Sequence, residues 1–172
     1  MQNKSTLKLI ISGVFAALAC VATLIHIPTA TGYIHAGDAV VVLCGILLGA
    51  MYGPACAGIG SMLADLLLGY AAYAPATLII KATVAFIAAI AFKSFTKLKM
   101  KPILALILSA VLGGIAMVSG YLFFEGAIMG AGFGAISAVP GNLLQATAGV
   151  VISALLYPVI IKIPQIKDMK GQ

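Results

Sequence analysis

The chain is poor in the residues from which a water-facing surface is built. Only 8% of its 172 residues are charged, whereas 63% are hydrophobic, and neither arginine nor tryptophan occurs. Soluble domains carry about 25% charged and about 45–50% apolar residues, so this composition excludes an ordinary soluble domain. Because an apolar outer surface is stable only in lipid, the sequence predicts a protein embedded in the lipid bilayer.

Several functional classes lack their sequence signatures. The phosphate-binding loop G-x-x-x-x-G-K-[ST] is absent, which excludes ATP hydrolysis by that route. The net charge of +6 comes from lysines without a basic patch interleaved with aromatic residues, so we expect no nucleic-acid partner. Cys20, Cys44 and Cys56 lie in or beside apolar runs without metal-ligand spacing. We therefore expect neither a metal site nor a cofactor, and no enzyme.

Long apolar runs predict the fold class, an all-α membrane protein that forms one domain over residues 1–172. A helix needs about 20 residues to cross the hydrocarbon core, so a bundle of six transmembrane helices uses nearly the whole chain. The predicted spans are residues 7–27, 38–51, 55–68, 76–95, 102–124 and 140–163. Proline suits the first turn of a helix, so Pro75, Pro102 and Pro140 are consistent with helix starts. The second span is short enough to be partly re-entrant, and Gly53 and Pro54 are predicted to make the turn after it. We expect the first span to remain uncleaved, because it has no clean signal-peptide cleavage site.

The distribution of lysine predicts the orientation of these spans. With both termini cytoplasmic, nine of the ten lysines fall on the inner side, as the positive-inside rule requires. These nine are Lys4, Lys8, Lys93, Lys97, Lys99, Lys101, Lys162, Lys167 and Lys170. Lys81 is the exception.

The remaining polar residues gather at the opposite, outer ends of the predicted helices. An ionisable group inside a membrane span costs about 2.5–3.5 kcal/mol on insertion scales, so it needs a partner or a polar cavity. We predict that these residues line a substrate pocket open to the outside. They are His35, Asp38, Asp65, Tyr70, Tyr73, Lys81, Tyr121, Glu125, Asn142 and Gln145. The alternatives are a purely structural ion pair between Asp65 and Lys81, and an aromatic belt of tyrosines at the membrane interface.

Small residues predict close helix contacts in two places. Gly45, Gly49 and Gly53 form a G-x-x-x-G-x-x-x-G run, which is typical of packing inside a bundle. The first span carries small residues four apart, which pack either inside the bundle or against a partner protein. They are Ser12, Gly13, Ala16, Ala17 and Cys20.

Three stretches within residues 32–81 together resemble the substrate-binding S components of energy-coupling factor (ECF) vitamin importers. The first is GD at residues 37–38, which opens an apolar helix, and the second is LGAMYGPACAGIGS at residues 48–61. The third is ADLLLGY at residues 64–70, which continues through YAPAT at residues 73–77 to Lys81.

This resemblance implies a six-helix bundle in the cell membrane that captures a small-molecule vitamin at its outer face. It also implies partners, namely a transmembrane coupling subunit and two cytoplasmic ATPase subunits. Small residues of the first helix contact the coupling subunit in this family, usually through Ala-x-x-x-Ala. The nearest matches here are Gly13 with Ala17, and Ser12 with Ala16 and Cys20. The GD and DLLxGY stretches look most like the branch proposed for pyridoxine or hydroxymethylpyrimidine.

Other interpretations of the chain remain open at this point. They are a stand-alone carrier or channel for a small metabolite, and an S component for another vitamin such as riboflavin. An intramembrane enzyme with Asp65 and His35 as acid and base lacks any supporting nucleophile or metal motif. For a binding subunit, we predict that residues 28–37 form a lid, with Gly32 and Gly37 as hinges.

Overall fold

The computed structural model describes residues 4–29 and 32–170, and this part of the chain is almost entirely helical. Among the described residues, five helices are long and apolar enough to cross a membrane. The elements are α1 (Lys4–Leu24), β1 (His26–Thr29), β2 (Gly32–His35), α2 (Gly37–Leu67), α3 (Ala74–Lys97), α4 (Pro102–Phe123), a π-helical turn (Phe124–Ile128), a 3-10 helix (Gly132–Ala138), α5 (Val139–Ile160) and α6 (Pro164–Lys170).

The surface of this bundle is apolar, as a lipid-embedded fold requires. Large aliphatic side chains are exposed along the long helices, including Ile79, Leu155 and Val159. The core between the helices holds Leu43, Leu106 and other apolar residues. Since a helix that faces water buries its apolar stripe and exposes polar residues, this arrangement confirms a multi-pass membrane protein.

The starts of three helices confirm what their prolines predict. Pro75, Pro102 and Pro140 each occupy one of the first two positions of α3, α4 and α5. Proline suits these positions because its fixed φ matches the helix and its missing N–H group has no intrahelical partner there.

The longest helix, α2, folds back on itself in the middle. Gly49 has a φ of 81° and a ψ of −179°, which breaks the helix. A Cβ atom built at Gly53 lies only 2.6 Å from the carbonyl oxygen of Cys44. Residues nine apart in an unbroken helix are separated by about 13 Å, so α2 consists of two antiparallel arms. We call residues 37–48 the first arm and residues 50–67 the second arm.

This reversal corrects the predicted turn between the second and third spans. The turn lies at Gly49, four residues before the predicted Gly53 and Pro54, and Pro54 lies inside the second arm. A glycine is needed at the turn itself because only a residue without Cβ adopts this positive φ cheaply.

The segment after α1 corrects the expectation of a purely helical fold. Helix α1 ends at Leu24 rather than Ile27, and an antiparallel hairpin of β1 and β2 follows, with His26 opposite His35. The hairpin overlaps the predicted lid at residues 28–37, of which residues 30 and 31 lie outside the described part of the chain. Gly37 opens α2, and its lack of a side chain allows close contact with Thr23.

The glycine-rich connection between α4 and α5 is itself mostly helical. A π-helical turn and a 3-10 helix occupy most of it, joined at Gly130 and Gly132, both with positive φ. This helical connection keeps Glu125 at the end of α4, beside the polar side chains described next.

Candidate functional site

Four buried polar side chains meet at one end of the bundle, which we call the polar end. Asp38 comes from the first arm, Lys81 from α3, Gln145 from α5 and His35 from β2. Each is less than 8% exposed to solvent. Buried polar groups are costly unless they bond one another, and these four form a connected network.

Asp38 is the centre of this network, because both of its carboxylate oxygens accept a hydrogen bond. Lys81 Nζ donates to Oδ1 at 2.5 Å and forms a salt bridge there, and Gln145 Nε2 donates to Oδ2 at 2.5 Å. The Gln145 Oε1 atom in turn accepts from the backbone N–H of His35 at 3.4 Å. The network thus links the first arm, α3, α5 and the hairpin.

Glycines bring the helices close enough for these bonds. A Cβ atom at Gly149 would lie 3.0 Å from the Cβ of Asp38, so α5 approaches the first arm one turn beyond Gln145. On the other side, Gly120 lies against Ile80 and brings α4 close to α3. Close approach of this kind is the usual role of small residues between membrane helices.

Helix α4 contributes two side chains that complete the surroundings of Lys81. Met117 Sδ accepts a hydrogen bond from Lys81 Nζ at 3.1 Å, and Lys81 lies 5.4 Å from the centre of the Tyr121 ring. The Tyr121 hydroxyl is 3.0 Å from Thr77 Oγ1. The sequence prediction missed Met117 and gave Thr77 no role. Helical spacing could have indicated both residues. Met117 lies four residues before Tyr121, and Thr77 lies four residues before Lys81.

Asp65 lies at the end of the second arm and is only 2% exposed. Its backbone carbonyl accepts a hydrogen bond from the N–H of Tyr70, which tightens the turn after α2. The suggested ion pair between Asp65 and Lys81 is not formed, because Lys81 binds Asp38 instead. The reason is geometric: Asp38 opens the first arm directly beside α3, and its carboxylate reaches the lysine head group.

The other predicted site residues form a more exposed rim around the polar end. Tyr73 packs edge-on against Phe124 at 5.3 Å and against Tyr70 at 6.3 Å between ring centres. Burial, and next the Glu125 carboxylate, raise the pKa of Tyr73, so its phenol stays protonated near Glu125. Asn142 is half-buried one turn before Gln145. These aromatic faces and polar groups are the kind that bind a flat, hydrogen-bonding ligand.

The small residues of α1 divide between two faces. Ser12 is buried, and a Cβ atom built at Gly60 would lie 2.3 Å from the carbonyl oxygen of Ala16. Ser12 and Ala16 therefore pack inside the bundle. Gly13 and Ala17 point outward, and nothing lies within 4 Å of a Cβ atom built at Gly13. The predicted partner face is therefore narrower than expected, with Cys20 half-buried at its edge.

Among the described residues, no three His, Cys, Asp or Glu side chains are grouped as a metal site requires.

His35 lies outside the long helices, and its burial determines how the stability of the hairpin depends on pH. Burial lowers the pKa of His35 from 6.5 to about 4, assisted by Lys81 and His26 and opposed by the Asp38 carboxylate. The neutral ring accepts the N–H of Gly37 at Nδ1, at 3.0 Å. Since the released hairpin takes up a proton below pH 6.5 and the packed one does not, packing is strongest above pH 6.5. It weakens as the pH falls from 6.5 towards 4.

We expect the wild-type chain to lose roughly 2 kcal/mol of stability between pH 7 and pH 5, since one pKa unit corresponds to about 1.4 kcal/mol. Unfolding curves at several pH values measure this loss. His35→Gln should lack this component, whereas the matched variant His26→Gln, changed on the facing strand, should keep it. An unchanged pH dependence in His35→Gln would contradict the assignment to His35.

Comparison with known proteins gives two matches. The family model described as "ECF-type riboflavin transporter, S component" matches residues 3–162, which is most of the chain. The chain is also similar to a protein of Pyrococcus woesei described as "Uncharacterized protein in gap 3'region". The two are 36% identical over 128 residues, which is 74% of this chain and 82% of that protein. The expected resemblance to ECF S components is confirmed at the level of the family, and the predicted pyridoxine or hydroxymethylpyrimidine branch stays a prediction.

Proposed function

The chain belongs to the family of ECF-type riboflavin transporter S components, and from this premise we propose that it captures a heteroaromatic vitamin at the polar end. The observation that carries the proposal is the gathering of polar side chains at one end of an apolar bundle, where a buried network and the buried Asp65 are joined by an aromatic rim at Tyr70 and Tyr73. Polar groups are costly in a membrane and usually mark a substrate path or site. The family is one of transporter subunits, not of enzymes.

Riboflavin is the first candidate for the ligand, because the matching family is described by it. Its ring system offers a flat face to Tyr70 and Tyr73, and its polar edge and side chain offer partners to Asn142 and Glu125. The second candidate is pyridoxine or hydroxymethylpyrimidine, which the stretch DLLLGY at residues 65–70 favours by resemblance. Both candidates share the chemistry of a ring with hydroxyl groups and ring nitrogens.

Within the site, we assign different roles to the network and to the rim. The carboxylate of Asp38 is already bonded on both oxygens, so the network of Asp38, Lys81 and Gln145 holds the helices in register. The ligand then contacts the rim and the buried carboxylate of Asp65. His35, bonded to Gln145, and Tyr121, bonded to Thr77, are assigned to the base of the site. The hairpin serves as the lid over this base.

We propose that the single domain crosses the cell membrane six times, with both termini cytoplasmic. The support is the reversal at Gly49, which divides α2 into two arms and adds one crossing to the five long helices. The lysine-rich ends of the helices, at Lys8, Lys93 and Lys97, then face the cytoplasm as the positive-inside rule requires. The polar end faces outward.

Transport requires partners, which we propose are a transmembrane coupling subunit and two cytoplasmic ATPase subunits. The outward face of α1 at Gly13 and Ala17 supports this proposal, because small exposed residues four apart allow a second helix to approach closely. On this proposal the isolated chain binds its ligand but cannot move it across the membrane.

The first experiment identifies the ligand that the protein carries. The full chain is purified in mild detergent and denatured, and the released small molecules are identified by mass spectrometry. We expect one vitamin per chain, with riboflavin recognised also by its fluorescence. A pyridoxine-like or pyrimidine compound would support the second candidate. A protein that stays empty after incubation with a panel of vitamins would overturn the proposed function.

Asp65 is the residue whose replacement best tests the site. Asp65→Asn keeps the size of the side chain but removes the charge, and charge-assisted hydrogen bonds are about twice as strong as neutral ones. We expect ligand affinity to fall at least about tenfold, which corresponds to about 1.4 kcal/mol. Asp168→Asn, an exposed change in α6, serves as the control and should leave affinity unchanged. Equal affinity of the Asp65→Asn variant and the wild type would exclude Asp65 from the site.

The alternative function is a stand-alone carrier or channel. It needs polar groups along a whole path, whereas the buried polar side chains of the described ranges concentrate at the polar end. Liposomes that contain only this chain distinguish the two functions. Uptake of the vitamin without ATP or other subunits would establish the carrier and contradict the binding subunit.

A further inference from the structure

A cavity lined by three lysines lies at the opposite, lysine-rich end of the bundle. Its volume is about 700 Å³, within the range of about 300–1,000 Å³ that is usual for small-molecule pockets. The turn at Gly49 forms one wall, and Lys93 and Lys97 of α3 form another, one helical turn apart. Lys8 of α1 lies on the third side, with its amino group 4.9 Å from the centre of the Tyr52 ring.

The positive charge of this cavity is not neutralised by the protein. In the described ranges, the salt bridge between Lys81 and Asp38 is the one that forms, and it lies at the other end of the bundle. Asp65 and Glu125 also belong to the polar end, and Asp168 of α6 is exposed and forms no salt bridge with these lysines among the described residues. Three lysines face one cavity without an acidic partner, and each ammonium group offers three hydrogen-bond donors. They attract an anion that can accept several hydrogen bonds at once.

The rim of the cavity indicates where this anion comes from. Ile90 lines the cavity and is 45% exposed, and Met51, next to the lining residue Ala50, is 81% exposed. Both are exposed apolar side chains, one beside the turn of α2 and one on α3. The cavity therefore combines a cationic interior with an apolar approach from the membrane, and basic pockets of this kind between membrane helices bind anionic lipid head groups.

We propose that this cavity binds the phosphate head group of an anionic phospholipid from the leaflet at the lysine-rich end. Lys8, Lys93 and Lys97 bond the phosphate oxygens, and the acyl chains lie along Met51 and Ile90. The bound lipid joins α1, the turn of α2 and the end of α3, which share no ion pair among the described residues. This site is separate from the vitamin site and does not depend on the proposed function.

Native mass spectrometry of the purified full chain tests this proposal. The protein is titrated with phosphatidylglycerol and with phosphatidylcholine of the same acyl chains, and glycerol 3-phosphate is the probe for a head group without a tail. We expect phosphatidylglycerol to bind at least about tenfold more tightly than phosphatidylcholine, because lysines attract its net negative head group, whereas the phosphatidylcholine head group has no net charge. The double variant Lys93→Gln with Lys97→Gln should lose this preference.

The matched control is Lys99→Gln with Lys101→Gln, which removes the same charge at the same end but outside the cavity. This control should keep the preference for phosphatidylglycerol. Equal loss in both double variants would show unspecific attraction and overturn the site. Binding of glycerol 3-phosphate as tightly as the lipid would reveal a soluble phosphate ligand and overturn the lipid proposal. Equal binding of phosphatidylglycerol and phosphatidylcholine by the wild-type chain would also overturn the proposal. Lys93 and Lys97 would then serve only to bind other transporter subunits.

Discussion

Replacing Lys81 by methionine is expected to lower the free energy of unfolding by about 3–5 kcal/mol, the largest effect that we predict for one residue. The lysine is 1% exposed and its partner Asp38 is 3% exposed, so water cannot solvate a charge left behind. Removal of one partner from a buried ion pair costs about this much. Methionine fills most of the space of the lysine chain, so the loss reflects the unpaired carboxylate and not a cavity.

The double variant Lys81→Met with Asp38→Asn separates the charge from the shape of the network. It leaves no buried charge, and the new amide still accepts the hydrogen bond from Gln145 that Asp38 Oδ2 accepts in the wild type. We therefore expect the double variant to be more stable than Lys81→Met alone, as is typical when both members of a buried pair are replaced. Denaturant titration in mixed micelles gives the free energies for this cycle.

Lys162→Met is the control for the loss of a positive charge, because Lys162 is exposed after α5. It should change the stability by less than about 0.5 kcal/mol. If Lys81→Met were equally harmless, the buried ion pair would not stabilise the fold. If it kept its stability but bound no vitamin, Lys81 would belong to the ligand site and not to the network that positions the helices.

The sequence predicted those features of the fold that depend on local chemistry. Hydropathy and length identified the membrane helices, and Pro75, Pro102 and Pro140 marked three helix starts, because each signal acts within a few residues. The gathering of polar residues at one end was also predictable. Helix direction alternates from span to span, so residues such as Asp38 and Lys81 had to lie at a similar depth.

The choice of partners within that polar end was not predictable. Asp38 lies at the start of the first arm and Asp65 near the end of the second arm, and either one matched Lys81 in depth. What decides between them is the rotation of the first arm, which follows from the turn at Gly49. The contact with Met117 depends equally on how closely α4 approaches α3, and this distance is set by packing between elements far apart in the sequence.

The glycine run of α2 shows most clearly how one pattern conceals different roles. Gly45, Gly49 and Gly53 fit a single packing face at four-residue spacing. In the structure Gly45 packs against Ala85 of α3, Gly49 makes the turn, and Gly53 packs back against the first arm. Local periodicity could not reveal this, because a positive φ at Gly49 leaves no trace in the spacing of the glycines.

The second large effect is expected for Gly45→Ala, which places a methyl group where α3 leaves no room. A Cβ atom at residue 45 would lie 2.1 Å from the carbonyl oxygen of Ala85 and 3.1 Å from its Cα atom. These are backbone atoms of a long helix and cannot rotate away as a side chain can. Overpacking in a core costs about 1–3 kcal/mol, and we expect a loss near 3 kcal/mol, measured by unfolding in mixed micelles. Gly13→Ala, in open space on α1, should instead stabilise the helix by about 0.5–1 kcal/mol.

Gly53→Ala extends this prediction into a test of the reversal in α2. With the two arms folded together, the new methyl group meets the Cys44 carbonyl at 2.6 Å, so the variant should be destabilised like Gly45→Ala. In an unbroken helix of 31 residues, the same methyl group would lie far from Cys44, and alanine would favour the helix by about 0.5–1 kcal/mol. The sign of the change therefore decides between the two arrangements. A stabilised Gly53→Ala variant would contradict the folded-back arms and, with them, the proposed sixth crossing of the membrane.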